Sequence, residues 1–150
     1  MTSKTHHIRE ISVRYEKKLV NQKGIRSSLD AAATAREIYA HTESHIELKE
    51  YFFCIFLNRA NHVTGYYKLS EGGICGTVVD QRLLFATALK CLATGIVLVH
   101  NHPSGNLTPS EHDRELTKKI RSAAQLLDIT ILDHIILTSD SYYSFEDNGI

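Results

Sequence analysis

The sequence lacks an excess of either charge and has no long apolar run. Among its 150 residues, Lys and Arg number 17 and Asp and Glu number 17, so the formal net charge is zero. Without a long-range electrostatic field, we expect no attraction to nucleic acid or to anionic lipid. No apolar run approaches the roughly 20 residues that a membrane-spanning helix needs, so no membrane insertion is expected.

Cysteine is also scarce. The 3 cysteines, Cys54, Cys75 and Cys91, are odd in number, far apart, and set in apolar or small-residue stretches. This usage is typical of reduced core residues in a cytosolic protein and not of a disulfide framework. The amino terminus lacks the apolar segment of a secretion signal. The sequence therefore predicts a cytoplasmic protein.

The length and the hydrophobic content are those of one compact domain. The chain has 150 residues, of which 43% are hydrophobic, enough to build a core. No internal repeat or linker divides it. We expect residues 1–44 to form an N-terminal arm and helix, with residues 1–27 as an arm or edge element. Residues 45–150 are expected to form the part of the domain that contains the candidate metal-binding and catalytic residues.

Alternating helix and strand patterns predict an α/β fold with a mixed central sheet flanked by helices. The expected helices cover residues 28–41, 81–92 with Gly95 as a cap, and 109–127. The expected strands cover residues 51–57, 62–67, 76–79, 96–99, 129–132, 135–137 and 142–145. The continuous apolar runs 51–57 and 96–99 are typical of strands buried on both faces. Residues 51–67 are predicted to form a hairpin, which allows mixed strand directions.

The apolar run 96–99 leads directly into the most informative motif, His100-Asn101-His102-Pro103-Ser104-Gly105. In an extended segment, side chains two residues apart point the same way. His100 and His102 can therefore face one point at the end of a strand, before the Pro-Ser-Gly sequence turns the chain away.

A helix is expected to follow that loop. We predict Thr108 as its N-cap, Pro109 at the first helical position and Glu111 at the third, which together make a capping box. This assignment leaves the Ser110 hydroxyl free for another role. Ser110 and Asp113 are three residues apart and so share one face of the first turns. The strand end and the helix start would then face each other.

Two histidines and one aspartate are a ligand set typical of catalytic zinc, which keeps a further position open. The set carries a charge of −1, so a bound Zn²⁺ would retain positive charge and acidify water. The sequence thus predicts one Zn²⁺ held by His100, His102 and Asp113, activating water for amide hydrolysis. Ser110 would hydrogen-bond that water or a developing oxyanion, or would serve only as a capping residue.

Hydrolysis also needs a carboxylate that does not bind the metal and can transfer protons. Glu50 directly precedes the 51–57 strand, which can place it beside the metal, and Glu47 and Glu71 are the alternatives. Asp133-His134 is either a further ligand pair or a pair satisfied by each other and by neighbouring backbone.

The residues from His100 to Gly105, with Pro109-Ser110, Asp113 and Asp133-His134, resemble the RadC branch of the JAB/MPN superfamily of zinc metalloproteases, which carry the JAMM motif. The resemblance extends from about Glu50 to Phe145. It implies a cytidine-deaminase-like α/β sandwich and zinc ligands at His100, His102 and Asp113. It also implies a supporting serine at Ser110 and a catalytic glutamate that Glu50 matches best.

Two classes of function follow. The first is a zinc-dependent metallopeptidase or isopeptidase, whose substrate the motif spacing does not define. The second is a catalytically silent metal-binding scaffold, or an accessory protein associated with DNA repair, as the RadC resemblance implies. The zero net charge argues against direct contact with nucleic acid. A zinc deaminase is excluded because the P-C-x-x-C motif that accompanies H-x-E in those enzymes is absent.

Overall fold

The computed structural model describes residues 24–72 and 78–150, which form three helices and five strands. In chain order these are α1 (Ser28–His41), β1 (Tyr51–Leu57), β2 (Val63–Glu71), α2 (Gln81–Lys90), β3 (Gly95–Asn101), α3 (Glu111–Gln125), β4 (Thr130–Leu137) and β5 (Tyr142–Ser144). Residues 1–23 of the predicted arm and residues 73–77, which include Cys75 and half of the predicted strand 76–79, lie outside the described residues. None of the described helices has the length and apolar character needed to span a membrane.

The strands form one mixed sheet with the order β2-β1-β3-β4-β5. β3 is parallel to β4 and antiparallel to β1, and the other neighbouring pairs are antiparallel. The predicted hairpin is present, since β1 and β2 pair across the turn at residues 58–62. The predicted α/β class and mixed sheet are confirmed, and the central strand β3 is the one that leads into the histidine motif.

Helices cover both faces of this sheet. Alternate residues of β1 and β3 enter two separate apolar clusters, because successive side chains of a strand point to opposite faces. On one face Ala31, Ala35 and Ile38 of α1 join the cluster that contains Phe53, Ile55, Val97 and Val99. On the other face Leu84 of α2 and Ile120 of α3 join Phe52, Cys54, Ile96 and Leu98. The result is a three-layer sandwich with the sheet in the middle.

Gly95 does not cap α2, so that prediction is wrong. The helix ends at Lys90 with Cys91 as its C-cap, and Leu92 takes the positive φ of 54° that ends the turn. Gly95 instead opens β3, where a Cβ atom would lie 2.6 Å from Cδ1 of Leu132. The glycine is needed there because a neighbouring side chain occupies the space.

The predicted strands 129–132 and 135–137 are one continuous strand, β4. The polar residues Asp133 and His134 suggested an interruption, yet both are buried inside the strand. Burial of polar groups is tolerated when they are hydrogen-bonded. Asp133 accepts hydrogen bonds from the Ser144 hydroxyl at 2.7 Å and from the backbone amides of His134 and Glu146.

Candidate metal centre

His100, His102 and Asp113 converge at one end of the sheet, as predicted. His100 lies near the end of β3, His102 follows the strand, and Asp113 lies in the first turn of α3. The two histidine Nε2 atoms are 3.0 Å apart. The Asp113 carboxylate oxygens lie 3.4 Å from Nε2 of His100 and 3.5 Å from Nε2 of His102. Within residues 24–72 and 78–150, these three form the one group of His, Cys, Asp or Glu side chains spaced to hold a metal ion.

The start of α3 differs from the prediction, because Ser110 and not Thr108 is the N-cap. The Ser110 hydroxyl accepts a hydrogen bond from the Asp113 backbone N–H at 3.1 Å. In return, the Ser110 backbone N–H donates to Oδ2 of Asp113 at 2.8 Å. This reciprocal capping box fixes the carboxylate beside the histidines. The Ser110 hydroxyl is therefore engaged as an acceptor, but its own proton can still be donated.

His102 is held in a form that suits a metal ligand. Its Nδ1 lies 2.6 Å from the backbone carbonyl oxygen of Asn106, which can only accept a hydrogen bond. Nδ1 therefore carries a proton. In the neutral ring the lone pair of Nε2 then points to the position that His100 and Asp113 also face. Two ring nitrogens and a carboxylate facing one point are the donor set of a divalent metal ion, so the residues present fit the implied zinc.

The electrostatics of the site agree with that donor set. Burial by itself raises the pKa of Asp113, but the interactions with His100 and His102, together with the hydrogen bond from the Ser110 backbone N–H, outweigh it and hold the pKa well below the ordinary range. Burial by itself lowers the pKa of His102, yet Asp113, the Asn106 carbonyl and Glu50 together raise it. The site thus keeps Asp113 ionised and concentrates negative charge where a cation would bind.

Glu50 lies next to the converging ligands. It directly precedes β1, and its backbone carbonyl accepts a hydrogen bond from Gly72 N–H at 2.9 Å. Phe52 pairs with His100 at the end of the antiparallel β1–β3 register, so Glu50, two residues before Phe52, lies at the end of the sheet where the histidine motif begins. Burial raises the pKa of the half-buried Glu50, and the charges of His100, His102 and Asp113 all act on it.

The two alternatives to Glu50 are placed differently. Glu71 is partly exposed and forms ion pairs with Lys49 and Lys68. The hydrogen bonds to these lysines lower its pKa. Glu47 is exposed to solvent. Of the three carboxylates, Glu50 is the half-buried one on which the charges of His100, His102 and Asp113 act.

Asn101 is a residue to which the motif gave no role. It lies between the two histidines in sequence, so its side chain points to the opposite face of the sheet. There Oδ1 accepts from Tyr51 N–H at 2.8 Å and from the Tyr39 hydroxyl at 3.1 Å. Nδ2 donates to the carbonyls of Ile46 at 2.7 Å and Lys49 at 2.9 Å. This fully buried amide therefore anchors the segment that carries Glu50.

Replacing Asn101 by alanine is expected to lower the free energy of unfolding by about 3 kcal/mol, because four hydrogen bonds are lost, two of them buried and two partly buried. Denaturant unfolding of the metal-free protein measures this loss. Asn58→Ala is the matched control: it also removes an amide that accepts two backbone hydrogen bonds, but in an exposed turn. A loss for Asn101→Ala no greater than that of the control would contradict the anchoring role.

His134 is a second residue whose role became visible only in the structure. It is fully buried, and burial holds its pKa well below the ordinary value, with the charge of His100 as the next cause. Its Nε2 lies 2.7 Å from Nδ1 of His100, on the side of that ring away from Asp113. His134 therefore contacts a ligand and is not part of the converging group. His112, which neighbours Asp113 in sequence, is exposed.

A mixed sheet between helical layers, with a His-x-His pair at a strand end and an aspartate at the following helix start, defines an α/β domain of the JAB/MPN type. Comparison with known families agrees: a model described as RadC-like JAB domain matches residues 25–150. The chain belongs to this RadC-like JAB family.

Curated relatives support the same assignment. A UPF0758 protein of Flavobacterium johnsoniae is 46% identical over 132 residues, which cover 88% of this chain and 56% of the relative. A UPF0758 protein of Haemophilus ducreyi is 42% identical, covering 73% of this chain and 49% of the relative. A third, of Geotalea uraniireducens, is 37% identical, covering 88% and 60%. The chain thus spans about half the length of the curated relatives it matches.

Proposed function

We propose that this domain is a zinc-dependent metallohydrolase that cleaves a peptide or isopeptide bond. The observation that carries the proposal is the convergence of two histidine nitrogens and one carboxylate, all within 4.8 Å of one another, at a sheet end where Glu50 adjoins them. A purely structural zinc site normally has four protein ligands, whereas three leave a position open for a reactant.

His100, His102 and Asp113 would hold the ion. Zinc at such a site acidifies water and polarises a carbonyl group, which is the chemistry that amide hydrolysis requires. The two histidines are neutral ligands and Asp113 supplies the single negative charge, so this ligand set leaves half of the charge of a divalent ion uncompensated.

Glu50 is the residue that we assign to proton transfer. Its carboxylate would accept a proton from the attacking water and deliver it to the nitrogen of the leaving amine. The raised pKa that burial gives Glu50 suits this task, because a carboxylate that binds a proton more readily is a stronger base.

Ser110 is assigned to stabilisation of the oxyanion. Its hydroxyl already accepts a hydrogen bond from Asp113 N–H, so its direction is fixed and its proton can be donated to a developing negative charge. Such a donor is worth about 2–4 kcal/mol in the transition state.

Metal removal and reloading tests the proposal. The purified protein is expected to contain about one zinc per chain, to lose it to a strong chelator, and to regain it on dialysis against zinc. A mixed peptide library and a set of lysine-linked isopeptides, followed by mass spectrometry, should show cleavage only by the loaded protein. Zinc binding without any cleavage would favour a metal-binding scaffold, and absence of zinc uptake would contradict the site itself.

A further inference from the structure

We propose that His134 and Thr117 are positioning residues that fix the tautomer of His100 so that its Nε2 is available to the metal. The inference rests on the proposed metal site but concerns residues outside the ligand set. His134 and Thr117 are both fully buried, and they connect the helix that carries Asp113 to the strand that carries His100.

The series of hydrogen bonds begins at the backbone of α3, which determines which atom donates in each of them. The Thr117 hydroxyl lies 2.6 Å from the carbonyl oxygen of Asp113, and because a carbonyl only accepts, the hydroxyl must donate to it. The same hydroxyl oxygen lies 2.6 Å from Nδ1 of His134. Its single proton is already used, so Nδ1 of His134 has to be the donor in that contact.

The chain then reaches the ligand. With Nδ1 of a neutral His134 protonated, its Nε2 carries a lone pair and accepts from Nδ1 of His100 at 2.7 Å. His100 therefore carries its proton on Nδ1, and its Nε2 is left bare, facing His102 and Asp113. If Nε2 of His134 carried a proton instead, His100 would have to accept on Nδ1, and its Nε2–H could not bind a metal.

The rings are held in the orientation that this chain requires. Phe52 stacks on His100 with centroids 5.8 Å apart and an angle of 5° between the planes. Phe145 stacks on His134 with centroids 4.6 Å apart and an angle of 15°. Both aromatic residues are fully buried, so neither imidazole can turn over without disturbing the core.

The choice of a histidine as partner has a chemical consequence. The second ring nitrogen of a metal-bound histidine usually donates to a carboxylate, a carbonyl or water. Here a neutral imidazole is the acceptor, so the orientation of His100 is fixed without adding negative charge. The ligand set keeps its charge of −1, which preserves the acidifying power of the ion.

The test compares zinc affinity, measured by competition with a chelator, among variants of the full chain. His134→Phe keeps a ring between Phe145 and His100 but removes both nitrogens, and it is expected to weaken zinc binding about 10- to 100-fold. His134→Gln places an amide oxygen near the former Nε2 and is expected to restore most of that affinity. Thr117→Val is expected to weaken binding by less, about 2- to 10-fold.

A double variant distinguishes an effect transmitted through the hydrogen bonds from Thr117 to His134 and His100 from a general effect on packing. If Thr117 acts through His134, adding Thr117→Val to His134→Phe should produce no further loss of affinity, whereas independent packing defects would add. Ile120→Val is the control for a packing defect in the same helix that leaves both His134 and Thr117 in place, because Ile120 is also fully buried in α3, and it should change affinity little. Thermal unfolding of the metal-free variants verifies that each one folds.

Nitrogen chemical shifts of the histidine rings in the metal-free wild type provide a second readout that requires neither zinc nor activity. The expected result is a protonated Nδ1 on His100 and a bare Nε2 on His134. A bare Nδ1 on His100, or wild-type affinity in the His134→Phe variant, would overturn the inference. Failure of the wild type to take up zinc would instead contradict the proposed function, while the shifts would still decide the tautomer.

Discussion

Replacing Asp113 by alanine is expected to lower zinc affinity about 100- to 1000-fold and to abolish hydrolysis with it. Structural zinc sites bind with about 10–16 kcal/mol through four ligands, so one ligand is worth roughly 3–4 kcal/mol, or two to three powers of ten in affinity. Asp113 is also the only charged ligand of the set, and its oxygens lie 3.4 Å and 3.5 Å from the two histidine nitrogens. His100→Ala should show a loss of similar size.

The control for this experiment is Glu111→Ala. Glu111 lies in the same first turn of α3 and carries the same charge, but it is exposed and is not among the converging residues. Its replacement should leave zinc affinity unchanged. Because Asp113 also completes the capping box, its alanine variant is expected to lose about 1 kcal/mol of stability without metal, which unfolding measurements separate from the loss of binding. Full zinc retention by Asp113→Ala would show that the assigned site is wrong.

The second large effect is expected from Glu50→Gln, which should lower the rate of hydrolysis about 100- to 10,000-fold, the usual contribution of a general base. Glutamine keeps the size and the hydrogen-bonding ability of the side chain but cannot accept the proton. Zinc affinity should remain close to that of the wild type, because Glu50 is not one of the converging donors.

Glu71→Gln and Glu47→Gln are the matched variants for this result. Each exchanges a carboxylate for an amide near Glu50, since Glu47 is three residues away in sequence and Glu71 pairs with Lys49. Glu71 is, however, paired with lysines, and Glu47 is exposed. Neither exchange is expected to change the rate. A wild-type rate in Glu50→Gln together with a strong loss in either of the others would move the role of the base to that residue.

The sequence predicted well where the signal is local. α1 spans residues 28–41 and β1 spans residues 51–57, as the helix-forming stretch and the uninterrupted apolar run indicated. The ligand positions also followed from local rules, because a strand alternates its side chains and a helix brings residues three apart to one face. These patterns depend on neighbours within a few residues, which a sequence displays directly.

The errors arose where two local solutions compete. Two capping boxes are possible at the start of α3, two residues apart: one formed by Thr108 and Glu111 and one formed by Ser110 and Asp113. The structure has the second one, in which the Asp113 carboxylate accepts a hydrogen bond from the Ser110 backbone N–H and also faces the histidines. The Asp133-His134 pair likewise resembled a break in the strand, because burial of polar residues depends on partners that the sequence does not identify.

By itself, the sequence determined the α/β class, the donor types and the spacing that allows three of them to meet, since all of these follow from periodicity and side-chain chemistry. Only the tertiary structure decided which nitrogen of each histidine faces Asp113 and which hydrogen bonds hold the rings in place. Asn101 and His134 show why: their partners Lys49 and His100 are 52 and 34 residues away in the chain. Hydrogen bonds over such separations form only when the sheet has assembled, so no local sequence pattern predicts them.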